Sequence, residues 1–158
     1  MKYETLAQAL EALEKYQQTK AAYDHALGLI MLDASTAAPS DSFEGRGKTM
    51  EVLSRVTYDL ETDPDNGMWL SVLEDHAEEL TPVQTRQAQV IRKNYDLTNK
   101  IPAEEYVEYN VLLNDAQAVW EKAKNNDDFD SFAPYLEKIV AFNRKFAGCY
   151  NPDLAPYD

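Results

Sequence analysis

Metal-dependent hydrolysis is the chemistry that the two histidines of this sequence could support. A helical metallopeptidase site usually contains His-Glu-x-x-His, in which both histidines bind one metal ion and the glutamate activates water. His25 and His76 are the two histidines of the chain, and neither has a second histidine at that spacing. A site shared by them, with nearby carboxylates, would require their helices to meet. We therefore favour ordinary surface or half-buried histidines and predict no metal ligand, no cofactor site and no catalytic residue in this chain.

Other patterns also fall short of a chemical site. Around Asp63, Asp65 and Gly67 the register of a calcium loop fails, because Pro64 falls at a ligand position and Leu73 stands where the final glutamate should be. The segment 45–48 contains two glycines, but no predicted strand precedes it, so it is a weak match to a phosphate-binding loop. Cys149 is the single cysteine, which excludes an internal disulfide and fits a reducing compartment.

The spacing of apolar residues predicts an all-α fold, an antiparallel bundle of about six helices with a long first helix. The first helix is predicted from near Tyr3 to Asp33. Because this is long for a globular protein, the helix must pack along several partners or along another chain. A loop over 34–42 follows, and the turn Thr62–Gly67 is expected to end the second helix. We treat residues 1–158 as a single helical domain.

Prolines and polar turns set the later boundaries. Thr81 is a plausible N-cap before Pro82, and the fourth helix is expected to end near Asn99. Ile101–Pro102 restarts the chain as a fifth helix, which has the clearest apolar stripe of the sequence. The members of that stripe are Tyr106, Tyr109, Leu112, Leu113, Ala116, Val119, Trp120 and Ala123.

The last helix follows a turn over 125–128. Pro134 is expected in its first turn, where a missing amide hydrogen does no harm. The segment from Gly148 to Asp158 is expected to be turn-like.

The charge of the chain restricts its partners. Its 28 acidic against 15 basic residues give a formal net charge of -13. Such a field repels phosphate backbones and anionic lipid surfaces, so we predict neither a nucleic-acid nor a membrane partner. No apolar run has the length of a membrane span, and the N-terminus lacks a signal-peptide core. We expect a cytoplasmic protein.

Two groups of residues resemble the N-terminal part of the thermostable carboxypeptidase (Taq-type) family of metallopeptidases. In the first, Asp33, Thr36, Pro39 and Arg46 match that family's Trp-Asp-x-x-Thr-x-Met-Pro segment and following arginine. Two positions depart from it, since leucine stands at 32 in place of tryptophan and alanine at 38 in place of methionine.

The second group is more specific in its order and spacing. It starts at Ile101–Pro102, contains Trp120, Phe129, Phe132, Pro134 and Leu136, and ends at Pro156–Asp158. Together the two groups extend over nearly the whole sequence, which corresponds to about the first third of a typical family member. The final Pro-Tyr-Asp falls inside a family motif, so we expect a trimmed or truncated version of a longer protein.

The resemblance implies a helical, cytoplasmic and usually dimeric enzyme that uses zinc or cobalt to remove C-terminal residues from peptides. It implies that the His-Glu-x-x-His motif lies outside these residues and that the N-terminal helices cover one side of a deep substrate groove. Our leading hypothesis is therefore a non-catalytic N-terminal helical domain that lines or covers that groove. We expect structural roles for Asp33, Thr36, Pro39, Arg46, Trp120, Phe132 and Pro134, with Asp33, Thr36 and Arg46 clamping the turn between the first two helices.

The expected partners are the remainder of a carboxypeptidase chain or a second copy of this one, with peptide substrate bound only in the full-length enzyme. The alternative is a free-standing, non-enzymatic interaction module derived from the family. In that case its apolar stripes would bind a partner protein. Self-association is expected on either hypothesis, because helices that normally cover another domain expose apolar surface when alone.

Overall fold

The computed structural model describes residues 2–39, 42–150, 153 and 155. These residues form six α-helices and a short 3₁₀ turn, Ala77–Glu79, and no strand occurs among them. This confirms the predicted all-α class and the long first helix. The helices are α1 Leu6–Thr36, α2 Phe43–Thr62, α3 Pro64–Asp75, α4 Pro82–Thr98, α5 Ala103–Asn125 and α6 Phe129–Tyr150.

Contacts between residues divide the chain into two compact units. Unit 1 comprises Met1–Ala26 and Val56–Asn99, and unit 2 comprises Leu27–Arg55 and Lys100–Asp158. Helices α1 and α2 each contribute residues to both units. That residues 1–158 behave as a single domain stays a prediction. Within the described residues, no helix combines the length and the apolar character that a membrane span requires.

Unit 1 contains a continuous hydrophobic core. The rings of Tyr16 and Trp69 lie 5.8 Å apart, and the Trp69 indole is only 2% exposed. The Trp69 Nε1–H donates to Oδ1 of buried Asn66, whose Nδ2 donates to the Leu60 carbonyl at 2.7 Å. The polar group that the tryptophan brings into the core therefore has a partner. The buried members of this core are Ala9, Leu13, Tyr16, Trp69, Leu70, Leu73, Ala88 and Ile91.

The boundary between α2 and α3 differs from the predicted turn over Thr62–Gly67. Only Asp63 separates the two helices, because its Oδ1 accepts the Asp65 amide at 2.8 Å and Pro64 suits the first helical position. Gly67 consequently lies inside α3. A Cβ atom there would be 3.0 Å from the Tyr95 hydroxyl, so this glycine permits close packing of α3 against α4.

The boundaries of α4 agree with the prediction. Thr81 and Gln84 form a reciprocal capping box, and Pro82 occupies the first turn. Asn99 is the C-cap. The turn predicted over 125–128 also forms, with Asp127 in the left-handed region at φ 53°.

Unit 2 packs α5 against α6 through aromatic rings. Tyr109 lies 5.2 Å from Phe146 and 5.6 Å from Phe142, measured between ring centroids. The Tyr109 hydroxyl accepts from Asn143 Nδ2 at 3.2 Å, and Lys145 forms an ion pair with Glu105 at 2.7 Å. These contacts hold the two helices side by side.

Helix α6 corrects two predictions. It begins at Phe129, where the Asp128 side chain accepts the Ser131 amide, so Pro134 is its sixth residue and lies beyond the first turn. The amide that Pro134 lacks would have bonded the carbonyl of Asp130, four residues earlier. The helix also continues to Tyr150, which places Gly148 inside it. The rest of the predicted turn-like tail lies almost wholly outside the described residues.

Candidate functional site

The histidines do not form a metal centre. His25 is exposed on α1. His76 ends α3, and its Nδ1 lies 2.7 Å from Glu79 Oε1, three residues later. Within 2–39, 42–150, 153 and 155, no three His, Cys, Asp or Glu side chains converge closely enough to hold a metal ion. These residues do not fit zinc or cobalt, and we derive no metal-dependent step for them.

The site that collects the most predicted residues is a cleft of about 250 Å³ in unit 2, which we call the Arg46 cleft. The C-terminal turn of α1 and the residues after it form one wall, the start of α2 contributes Arg46, and the middle of α5 forms the other wall. Its lining residues are Ala34, Ala38, Pro39, Arg46, Asn114, Gln117, Ala118, Val119, Glu121 and Lys122.

A hydrogen bond between α2 and α5 supports this cleft. The Arg46 Nε–H donates to Asn114 Oδ1 at 3.1 Å, and Asn114 is only 4% exposed. Asn114 Nδ2 in turn donates to Asp115 Oδ1 at 3.2 Å. Because a buried amide is costly unless it is bonded, these contacts fix the orientation of Asn114 and hold the guanidinium of Arg46 at the cleft.

The side chains that line the Arg46 cleft can bind a ligand. Its side chains offer N–H donors on Arg46, Gln117 and Lys122, and a carboxylate on Glu121, beside the small apolar surface of three alanines and a proline. Donors and acceptors in such a setting can bond the main chain of a peptide. Its described lining residues include no histidine, cysteine or serine that could act as a nucleophile or general base.

The other members of the first predicted group lie close to this cleft in the chain. The carbonyl of Asp33 accepts the amides of Ala37 and Ala38 at 3.0 and 2.9 Å, and Thr36 Oγ1 donates to the Leu32 carbonyl at 2.6 Å. Both contacts close the C-terminal turn of α1. Their proposed clamping of the α1–α2 turn stays a prediction, since Ser40 and Asp41 are outside the described residues.

The second predicted group is spread over α5 and α6. Trp120 is 43% exposed, and the ammonium of Lys124, one turn later, lies 4.9 Å from its ring centroid. Phe132 is half-buried and Pro134 is exposed, both in the first half of α6. The structure therefore brings Pro39 and Arg46 together, and Trp120 lies on the helix that forms the opposite wall of the cleft.

Asn114 is the site residue that the sequence analysis missed. It stands seven residues after Val107, and both are buried on α5. Asn114 follows Leu113 directly and therefore lies off the apolar stripe, on a side of α5 that the sequence pattern predicts to be polar. No local signal in the sequence therefore marked it as buried.

One carboxylate of unit 2 has a shifted pKa. The Glu104 backbone amide and then the Arg55 guanidinium lower the pKa of the Glu104 carboxyl from its ordinary value of 4.5. Arg55 Nη2 donates to Glu104 Oε1 at 3.2 Å, which gives a second link between α2 and α5. This contact lies at the N-terminus of α5, where negative charge is favoured.

The family model and the related proteins that this sequence matches are all carboxypeptidases. Residues 12–158 match the family model for carboxypeptidase Taq (M32) metallopeptidases. Carboxypeptidase 1 of Bacillus subtilis is 32% identical over 136 residues, which are 86% of this chain and 27% of that protein. Thermostable carboxypeptidase 1 of Thermus thermophilus is 31% identical over 133 residues, which are 82% of this chain and 26% of that protein.

Solved structures agree with these relatives. The crystal structure named BsuCP superposes with a TM-score of 0.90 at 29% identity, over 95% of this chain and 30% of that chain. Metallocarboxypeptidase 1 of Trypanosoma cruzi superposes with a TM-score of 0.72 at 26% identity and the same coverage. This chain thus spans less than a third of the length of each of these relatives.

Proposed function

We propose, since this chain belongs to the carboxypeptidase Taq (M32) metallopeptidase family, that it is the N-terminal helical part of a metallocarboxypeptidase. In that enzyme it lines or covers the substrate groove, and the release of C-terminal residues from peptides is carried out by other residues. One observation carries the proposal. The chain matches the family over residues 12–158, yet its sequence contains no His-Glu-x-x-His.

The Arg46 cleft supports the groove-lining role. Three helical segments meet there, and the part-buried bond between Arg46 and Asn114 gives the wall a fixed shape. A wall of this kind excludes water from one side of a groove and positions the main chain of a peptide. Zinc or cobalt would be bound by the other part of the enzyme and would supply the activated water.

The remaining elements of the proposal concern partners and location. The partner is the rest of a carboxypeptidase chain, peptide substrate binds only when that part is present, and the enzyme acts in the cytoplasm. Nucleic acid and anionic membranes are disfavoured as partners because of the net charge of -13.

A chimera tests the groove-lining role. This chain replaces the matching region of Bacillus subtilis carboxypeptidase 1, and release of C-terminal residues from peptides is compared with the parent and with a version in which the region is deleted. We expect the chimera to be active and the deletion to be inactive. A folded, metal-loaded chimera that is no more active than the deletion would overturn the proposal.

The isolated chain tests the non-catalytic assignment. With added zinc or cobalt, we expect no release of C-terminal residues from peptides. Release that depends on the metal and stops when a chelator is added would contradict the assignment.

The second candidate function is a free-standing interaction module, and the exposed apolar side chains favour it. Leu32, Phe129 and Trp120 are among the large hydrophobics that remain exposed. Reading the gene beyond codon 158 separates the two candidates. A reading frame that continues to a His-Glu-x-x-His would exclude the free-standing module. An immediate stop codon would exclude the proposal that the chain is part of a longer enzyme.

A further inference from the structure

Exposed apolar side chains are distributed unevenly between the two units. In unit 1 the described large hydrophobics that stay exposed are Met68, Val83 and Val90. Unit 2 contains many more, although the packed hydrophobic core described above belongs to unit 1. The exposed members in unit 2 are Leu29, Met31, Leu32, Val52, Leu113, Trp120, Phe129, Leu136 and Tyr150.

Helix α5 shows the same imbalance within one element. Its buried residues are Val107, Asn114 and two alanines, whereas Leu113 and Trp120 are 38% and 43% exposed. Leu113 and Trp120 are seven residues apart and therefore lie on one face of the helix, roughly 10 Å apart along its axis. We call this pair the α5 face. A helix that buries alanines and leaves Leu113 and Trp120 exposed has an apolar surface still to be covered.

The α5 face adjoins the Arg46 cleft. Trp120 stands between Val119 and Glu121, which both line the cleft. On the opposite wall, Leu32 is 58% exposed and stands two residues before the lining residue Ala34. Apolar side chains thus border a cleft that contains hydrogen-bonding groups, which is the usual arrangement of a protein-binding surface.

We propose that the α5 face is the surface on which the remaining, catalytic part of an M32 carboxypeptidase chain docks. This inference rests on the proposed function and specifies which surface of the chain serves it. In the relatives, the matching region is 26–30% of one continuous chain, so most of the polypeptide lies outside it. That covalently joined partner is present at an effective concentration of about millimolar, which favours it over a second copy.

Fluorine NMR provides a direct test. The chain contains only two tryptophans, buried Trp69 and exposed Trp120. Labelling with 5-fluorotryptophan gives two signals, which Trp69→Phe and Trp120→Phe variants assign. The unlabelled catalytic remainder of Bacillus subtilis carboxypeptidase 1 is then added, and the difference in chemical shift between light and heavy water reports the exposure of each ring.

The expected result is that the Trp120 signal moves and loses its solvent sensitivity, while the Trp69 signal keeps its position. A complex that restores peptidase activity with Trp120 still solvent-sensitive overturns the docking surface and leaves the proposed function standing. An inactive complex, together with an inactive chimera, overturns the proposed function itself. The chain is also measured alone at increasing concentration. If the Trp120 signal then loses its solvent sensitivity, the α5 face binds a second copy of the chain and the inference is overturned.

Substitutions at equally exposed positions of the two units test the α5 face independently, by measuring affinity for the catalytic remainder. We expect Trp120→Glu and Leu113→Glu each to weaken association with the catalytic remainder by about tenfold or more, because a charge is placed in an apolar contact. Val90→Glu is the control, since Val90 is 40% exposed on α4 in unit 1. It should change the affinity by less than about twofold. Circular dichroism checks that each variant keeps its helices, and equal losses for all three overturn the inference.

Discussion

Arg46 and Asn114 are 68 residues apart in sequence, and their side chains meet at 3.1 Å in unit 2. The bond joins the first turn of α2 to the middle of α5. One partner is a buried amide and the other a half-buried guanidinium, so the contact is charge-assisted and partly shielded from water. It is the feature that most directly connects the sequence motif containing Arg46 to a defined three-dimensional position.

A double-mutant cycle measures this contact. We expect Asn114→Leu and Arg46→Met each to lower the free energy of unfolding, with a coupling of about 1 kcal/mol between them. Urea denaturation of the four proteins gives the coupling. Asn110→Leu is the control in place of Asn114→Leu, because the Asn110 amide donates to Tyr106 in its own helix. A coupling as large for Asn110 as for Asn114 would show that the Arg46–Asn114 bond has no specific effect.

Two glycines in helices predict opposite effects of the same substitution. We expect Gly67→Ala to destabilise the chain by about 1 kcal/mol, because the new Cβ would lie 3.0 Å from the Tyr95 hydroxyl and this overpacking, about 2 kcal/mol, outweighs the gain in helix propensity. Gly28 has no atom within 4 Å of its Cβ position, so Gly28→Ala should stabilise α1 by about 1 kcal/mol. Thermal unfolding followed by circular dichroism compares them. Tyr95→Phe should relieve the cost of Gly67→Ala, and a cost that persists unchanged would refute the proposed clash.

Replacing Pro134, which lies inside α6, should stabilise the chain. We expect Pro134→Ala to raise the free energy of unfolding by about 1–3 kcal/mol, because it restores the amide that bonds the Asp130 carbonyl inside α6. Pro82→Ala is the control, since Pro82 stands in the first turn of α4 where no such bond is lost. Chemical denaturation checks both variants. A gain at position 82 that equals or exceeds the gain at 134 would contradict the explanation.

Glu104 predicts how one carboxylate responds to pH. Its pKa is lowered from 4.5 in the folded chain, chiefly by its own backbone amide and next by Arg55. The ionised Glu104 carboxylate therefore stabilises the fold fully at pH values above the pKa that Glu104 has in the unfolded chain. This stabilisation disappears as the pH falls through the lower pKa that Glu104 has in the folded chain.

The titration of Glu104 followed by carbon NMR should show a pKa below 4.5. Arg55→Gln should raise that pKa only part of the way back, because the backbone amide remains. Arg144→Gln, the same change on an exposed position of α6, should leave it unaltered. Complete return to the ordinary value in Arg55→Gln would show that the backbone bond contributes nothing.

Local signals predicted both ends of α4 and the turn between α5 and α6. Thr81 and Gln84 formed the expected capping box, and the turn over 125–128 appeared as predicted. The second helix ended at Thr62, within the segment predicted to end it, but the break was one residue, Asp63, and the rest of that segment belongs to α3. Clusters of Asp, Asn, Gly and Pro suit a loop, and they equally suit the first turn of a helix.

The candidate site was only partly predictable. The sequence singled out Arg46 and Pro39, and the structure placed both at one cleft. It did not reveal Asn114, because the partner of a buried polar side chain lies far along the chain and no local pattern specifies it. Tertiary packing alone could identify that partner.

By itself, the sequence determined the helical class, the number of helices and the family, because periodicity, caps and motif spacing are local properties. Only the tertiary structure decided which apolar residues are covered. The α5 stripe looked like one buried face, yet Ala116 and Ala123 are buried while Leu113 and Trp120 are exposed. The physical reason is that periodicity identifies an apolar face, and burial depends on which neighbours are present to cover it.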